Sequence, residues 1–202
     1  RVVPNGVDTE LFKPLPSVTR KPGQIIATAS ADAPLKGLPV LLHAFKRLVE
    51  AEPERQLVLI ARPKAGGDTE ALIERLELSD HIRFVGDASH EEINRLYAES
   101  AVAVVPSLYE GFGLPSVEAM AAGIPLVSSD GGALAEVVAE GGLVVPAGDS
   151  DALAETLGRV LTDPKLAIAL GHKGRQRVER HFCWTVCAQQ MVAQYRACID
   201  AC

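Results

Sequence analysis

No apolar run in this chain of 202 residues approaches the roughly 20 residues that a helix needs to cross a bilayer. Positive charge is scarce too: 20 Lys and Arg stand against 26 Asp and Glu, a formal net charge of −6. Nucleic acid is therefore excluded as the main partner, because a phosphate backbone is held by clustered cations. A small anionic ligand is not excluded, since a few local cations and a helix N-terminus hold a diphosphate whatever the total charge. Cysteine is missing from everything before the C-terminal tail, where Cys183, Cys187, Cys198 and Cys202 stand. On one helix over 184–202 the four would fall within about a third of its circumference, yet the first and last would lie roughly 28 Å apart. They cannot share one metal; plain thiols on a half-buried face are expected, which points to a reducing, cytoplasmic setting. No signal peptide is read at the start. A chain that opens on Arg1 and runs at once into Val2-Val3-Pro4-Asn5-Gly6 is expected to be one domain of a longer protein.

What is there is balanced: hydrophobic residues make up 48% and charged ones 23%, as in soluble globular domains. Short β-rich runs at 24–29, 56–61, 81–85, 101–105, 125–128 and 142–145 alternate with amphipathic helical patterns at 38–50, 69–78, 90–100, 115–122 and 133–139. Several runs are continuously apolar, such as Val102-Ala103-Val104-Val105, which predicts strands covered on both faces of a parallel sheet. The alternation implies an α/β fold, a Rossmann-like doubly wound parallel sheet. Beyond Ser150 the pattern is helical through 151–161, 165–182 and 184–201. No internal repeat or composition break forces a second domain, so residues 1–202 are expected to form one.

Ligands of such sheets bind beyond the C-terminal ends of the strands, so each strand-to-helix turn is a candidate loop. The first, 28–37, is neither a P-loop nor a G-x-G-x-x-G fingerprint. Its Lys36, just before a helix, is either a phosphate-binding ammonium or a solvated surface cation. The second, 61–67, places Arg62 and Lys64 beside Gly66 and Gly67, suiting an anion or a plain basic loop. In the third, Gly86 allows a planar base to approach, while Asp87 and Ser89 read equally as N-caps of the next helix. The turn at 128–132 has no assigned role.

The fourth turn carries most. Between the buried strand ending at Val105 and a helix beginning near Pro115 lie Glu110, Gly111, Phe112, Gly113 and Leu114, with Glu118 in the first helical turn. Proline suits the start of a helix, and the glycines leave main-chain N–H groups open. Carboxylates accept paired hydrogen bonds from vicinal diols, which ribose and hexoses both present. The helix N-terminus adds partial positive charge for a diphosphate.

With those residues in view, the whole chain resembles the C-terminal, nucleotide-sugar-binding domain of a GT-B-fold glycosyltransferase of family 4 (glycosyl transferases group 1). The resemblance runs from Val3-Pro4-Asn5-Gly6-Val7-Asp8 through Lys36-Gly37, the Glu-x7-Glu signature of Glu110 and Glu118, Gly123-Ile124-Pro125 and Gly131-Gly132 to Glu136. It implies that residues 1–23 form an interdomain linker region and that the helix at 184–202 packs toward a missing N-terminal domain that carries the acceptor site. It implies that Glu110 binds hydroxyls of the transferred sugar and Glu118 the ribose. Amides around Gly111, Phe112, Gly113 and Leu114 would hold sugar and phosphates, Lys36 would neutralise the leaving diphosphate, and the main chain at Asp87 and Ala88 would pair with the base. Transfer with retention, from a UDP- or GDP-sugar and without a metal or other cofactor, is the family's habit, and peripheral membrane contact of the full-length protein is common. No basic amphipathic helix argues for that contact here.

The sequence departs from the family at the end of the first strand. A Gly-Arg whose guanidinium contacts the diphosphate is usual there, and this chain has Ala29-Ser30. Arg62, at the end of the neighbouring strand, is expected to supply the missing guanidinium, with Ser30 left in the phosphate subsite. The alternatives are a non-catalytic nucleotide-sugar-binding module, or an epimerase or phosphorylase on the same fold.

Overall fold

The computed structural model describes residues 2–28 and 33–201. Its strands are β1 (Lys21–Thr28), β2 (Gln56–Ile60), β3 (Ile82–Val85), β4 (Ser100–Val105), β5 (Leu126–Ser129) and β6 (Leu143–Val145). The helices are α1 (Leu38–Ala51), α2 (Asp68–Arg75), α3 (His90–Glu99), α4 (Leu114–Ala121), α5 (Leu134–Val138), α6 (Ser150–Thr162), α7 (Pro164–His181) and α8 (Trp184–Asp200). The strands form one sheet in the order β3-β2-β1-β4-β5-β6, and every neighbouring pair is parallel. This is the doubly wound arrangement expected, and its order reverses between β1 and β4, where a crevice opens.

The continuous apolar runs are explained by two cores. Ile25 and Ala27 of β1, Leu57 and Leu59 of β2, and Val102 and Val104 of β4 face α1, α2 and α6. Their alternate neighbours Ile26, Val58, Ala103 and Val105 face α3, α4 and α5. Successive side chains of a strand point to opposite faces, so a strand buried on both must be apolar at every position. Caps fall where short polar side chains precede a helix: Ser89 accepts from the Glu92 N–H at 3.2 Å, and Asp149 and Asp163 cap α6 and α7. Ser89, not Asp87, is therefore the cap of α3.

Boundaries differ where backbone geometry overrides helical periodicity. The helix expected over 69–78 ends at Arg75, because Glu77 adopts a left-handed φ of 57° that turns Leu78 into the core. The first strand starts earlier than the pattern indicates, at Lys21, which pairs with Ser100 through a register shift; residues 21–23 of the expected linker are thus strand. The N-terminal segment lies back on the domain. Val7 donates its N–H to Phe182 at 2.7 Å, Phe12 packs against the rings of His90 and Tyr97, and Arg175 donates to the Thr9, Phe12 and Ala121 carbonyls. On α8 only Cys187 is buried, while Trp184, Val192, Tyr195 and Ile199 are exposed. Cys183 is half-buried and Cys198 exposed, so the half-buried thiol face covers only the start of the helix; Cys202 lies outside the described residues. Among the described residues no helix is long and apolar enough to cross a membrane.

Candidate functional site

The crevice at the sheet's switch point is built by three turns that touch backbone to backbone. Both Leu108 and Tyr109 donate their N–H to the Leu35 carbonyl, at 2.8 and 3.4 Å, which ties the turn after β4 to the one after β1. Gly37, left-handed at φ 65°, sits so close that a Cβ there would overlap the Pro106 carbonyl. The turn after β5 braces the other side. Ser129 Oγ donates to the Ser107 carbonyl, the Glu110 N–H donates to Gly131 at 3.3 Å, and the Ala133 N–H returns to the Glu110 carbonyl at 2.9 Å. A Cβ on Gly131 or Gly132 would strike the backbone of Leu108 or Glu110. Two loops far apart in sequence thus fix the main chain at Glu110.

The side chains follow. Lys36 Nζ lies 2.7 Å from Glu110 Oε1, the lysine 33% and the carboxylate 13% exposed. Ser107 Oγ donates to the same oxygen at 2.9 Å. One oxygen of Glu110 is therefore held by two donors, which fixes the carboxylate's orientation and leaves Oε2 without a protein donor among the described residues. Immediately after it, Gly113 is left-handed at φ 90° and serves as the N-cap of α4, with no side-chain cap. Among the described residues, none of the N–H groups of residues 111–114 donates to a protein acceptor. A cluster of open donors at a helix N-terminus beside an ammonium suits anionic oxygen in its chemistry.

Glu118 falls just past the first turn of α4 and is half-buried. Burial raises its pKa, opposed by the charge of His90. It neighbours the buried Tyr97, whose pKa is raised by burial and by the Glu118 charge. The Tyr97 hydroxyl is 3.1 Å from Thr28 Oγ1 at the end of β1, which anchors this wall to the sheet.

A second hollow, of about 390 Å³, opens beyond β2 and β3 and is lined by Ile60, Ala61, Arg62, Val85, Gly86, Asp87 and Ala88. Asp87 is left-handed at φ 51°, and its carboxylate pairs with the Arg62 guanidinium. The Arg62 side chain runs along Gly86, where an added Cβ would come within 3.0 Å of it. Arg62 thus has a carboxylate partner in the hollow expected to take the base. Ser30, the residue at the departure from the family pattern, lies outside the described residues. Sequence reasoning left out Ser107, Tyr97 and the bracing turn at 129–132. Only the paired glycines Gly131 and Gly132, where a side chain would collide, hinted at that brace. Among the described residues, no group of three or more His, Cys, Asp or Glu is placed to hold a metal.

A parallel sheet of this order, with a glycine-braced carboxylate and open amides at its switch point, defines the Rossmann-like half of a GT-B fold. The chain belongs to the family described as glycosyl transferases group 1, whose model matches residues 12–177. It is 49% identical over 203 residues to an MMP alpha-(1->4)-mannosyltransferase of Mycolicibacterium hassiacum, covering 98% of this chain and 48% of that protein. It is 33% identical over 200 residues to a phosphatidyl-myo-inositol mannosyltransferase of Mycolicibacterium smegmatis, covering 96% and 50%. Sucrose-phosphate synthase from Thermosynechococcus elongatus superposes on all of this chain and 53% of its own, with a TM-score of 0.83 and 34% identity. The chain spans about half the length of the curated relatives it matches.

Proposed function

We propose that this chain is the donor-binding half of a retaining, metal-independent glycosyltransferase, and that it holds a nucleoside diphosphate sugar in the crevice between β1 and β4. The observation that carries this reading is the fixed Glu110 carboxylate, tied to Lys36 and Ser107 beside the open amides of residues 111–114. The free Oε2 of Glu110 accepts from hydroxyls of the transferred sugar. As the bond from the anomeric carbon to the diphosphate oxygen breaks, negative charge grows on the leaving group. The Lys36 ammonium and the N-terminus of α4 lie ready to stabilise it, and preorganised charge of this kind is the main means of lowering such a barrier. Glu118 accepts from the ribose hydroxyls, and the base lies in the hollow at Asp87 and Ala88.

The two mannosyltransferase relatives make mannose the first sugar to try. An Asp87 carboxylate favours guanine, whose N1–H and N2–H2 donate side by side, over uracil, whose single imino N–H is flanked by two carbonyl oxygens. With Asp87 as its partner, Arg62 acts at the base end and shapes the carboxylate there; Lys36 and the loop amides then carry the diphosphate. The acceptor wall belongs to an N-terminal domain, so this half binds donor and transfers little alone. A calorimetric panel of GDP-, UDP- and ADP-sugars tests the reading. Saturable binding of at least one, tightest for GDP-mannose, is expected; the absence of binding by all three classes would overturn it.

A further inference from the structure

The donor loop is not braced by the sheet alone. Phe112 sets its ring 5.7 Å from that of Phe182, at 78° in an edge-to-face contact. Phe182 is only 6% exposed and stands in the break between α7 and α8. The Arg177 guanidinium lies over the same ring, 5.5 Å from its centroid, within cation–π range. Arg177 is itself immobilised by the Val137 and Glu136 carbonyls, each at 2.7 Å, and by Glu140 at 3.2 Å. The backbone of Phe182 does separate work: its carbonyl takes the Val7 N–H at 2.7 Å, and Val7 bridges the next residue, Cys183. One residue further on, Trp184, the only tryptophan of the chain, lies against Gly6, leaving no room for a Cβ there. Phe182 thus touches the donor loop with its ring, and the N-terminal segment and the start of α8 with its backbone.

We propose that Phe182 is a positioning residue of the donor loop: its ring, in contact with Phe112 and Arg177, sets the direction of the amides at residues 112–114 and carries movement of that loop to the α7–α8 junction. The proposal rests on the donor reading above. Its physical basis is that Phe112 has two glycine neighbours, Gly111 and Gly113, and no backbone hydrogen bond of its own among the described residues. The aromatic contact is then the main restraint on where the Phe112 N–H points. Closely packed elements move in discrete steps rather than deforming smoothly, so a loop that tightens on a diphosphate displaces Phe182, and Trp184 beside it.

Trp184 is a built-in reporter. The chain, Phe182→Leu, Phe112→Leu and the double variant are titrated with GDP, UDP and their sugars, following Trp184 emission and thermal shift together. In the unaltered chain, binding seen by thermal shift is expected to change Trp184 emission at the same ligand concentrations. Each single variant is expected to lose the emission change and bind roughly two- to tenfold more weakly, the size of one edge-to-face aromatic contact. The double variant should be no weaker than the worse single one, because both remove one interaction. Should Phe182→Leu not fold, the loop variant Phe112→Leu gives the same readout. Thermal shift with silent Trp184 emission, or additive losses in the double variant, would overturn this proposal while leaving the donor reading intact. No thermal shift with any nucleotide would sink the donor reading, and this proposal with it.

Discussion

At the scale of single residues, Glu118 works against the fold that holds it. Its folded pKa is raised by burial, so between the ordinary carboxylate value and that raised value the folded state binds more protons than the unfolded one. Stability therefore falls as pH rises through this window and stays lowered above it. Glu118→Gln is expected to raise the melting temperature at neutral pH and to have a much smaller effect in acid, while weakening nucleotide binding. Melts across pH with and without GDP check both halves; a variant less stable at neutral pH would contradict the account. Such a trade between stability and binding is common where a site needs a desolvated charge. Arg62 offers a second test at this scale. Arg62→Ala removes the partner that fixes the Asp87 carboxylate in the hollow proposed for the base, and is expected to weaken nucleotide binding severalfold by calorimetry.

At the scale of elements, what matters is that three turns meet where β1, β4 and β5 end. Gly37 is left-handed and abuts the Pro106 carbonyl, so Gly37→Ala suffers roughly 1 kcal/mol of backbone strain and a collision besides. A fall in melting temperature of at least about 2–4 °C is expected for a chain of this size, with loss of donor binding because the collision displaces Lys36 and the Pro106 turn together. The sequence made part of this arrangement readable. Continuous apolar runs such as 102–105 announced strands with two buried faces, and the resemblance carried by Glu110 and Glu118 announced the family. The stop of α2 at Arg75 was not readable, because it depends on the left-handed Glu77 turning Leu78 inward, a tertiary demand that periodicity does not record. Nor was the brace of Ser129 and Gly131 on the Glu110 loop. Apart from the Ser129 hydroxyl, its contacts join main-chain atoms whose partners are set by sheet order. The Phe112–Phe182 contact spans two elements far apart in the chain and left no local signature.

At the scale of the whole molecule, the proposed anion site of an acidic protein works by concentrating a few donors rather than by net charge. On the proposed reading, Lys36, the α4 N-terminus and the loop amides serve one crevice within a chain of net charge −6. Long-range attraction to an anionic donor is correspondingly absent, so nucleotide affinity is expected to change little between about 50 and 200 mM salt. Nucleic-acid binding over the same range falls by orders of magnitude. The exposed apolar residues of α8, among them Trp184, Tyr195 and Ile199, are of the kind that marks an interaction site where they gather into a patch.

The central claim is that Glu110 holds the transferred sugar. Its most direct test is the affinity of this chain and of Glu110→Gln for GDP-mannose and for GDP, measured side by side by calorimetry. The account predicts that the substitution weakens GDP-mannose binding by at least about tenfold, or 1.4 kcal/mol, and leaves GDP binding within about twofold. Equal losses for both ligands, or no loss for either, would contradict it.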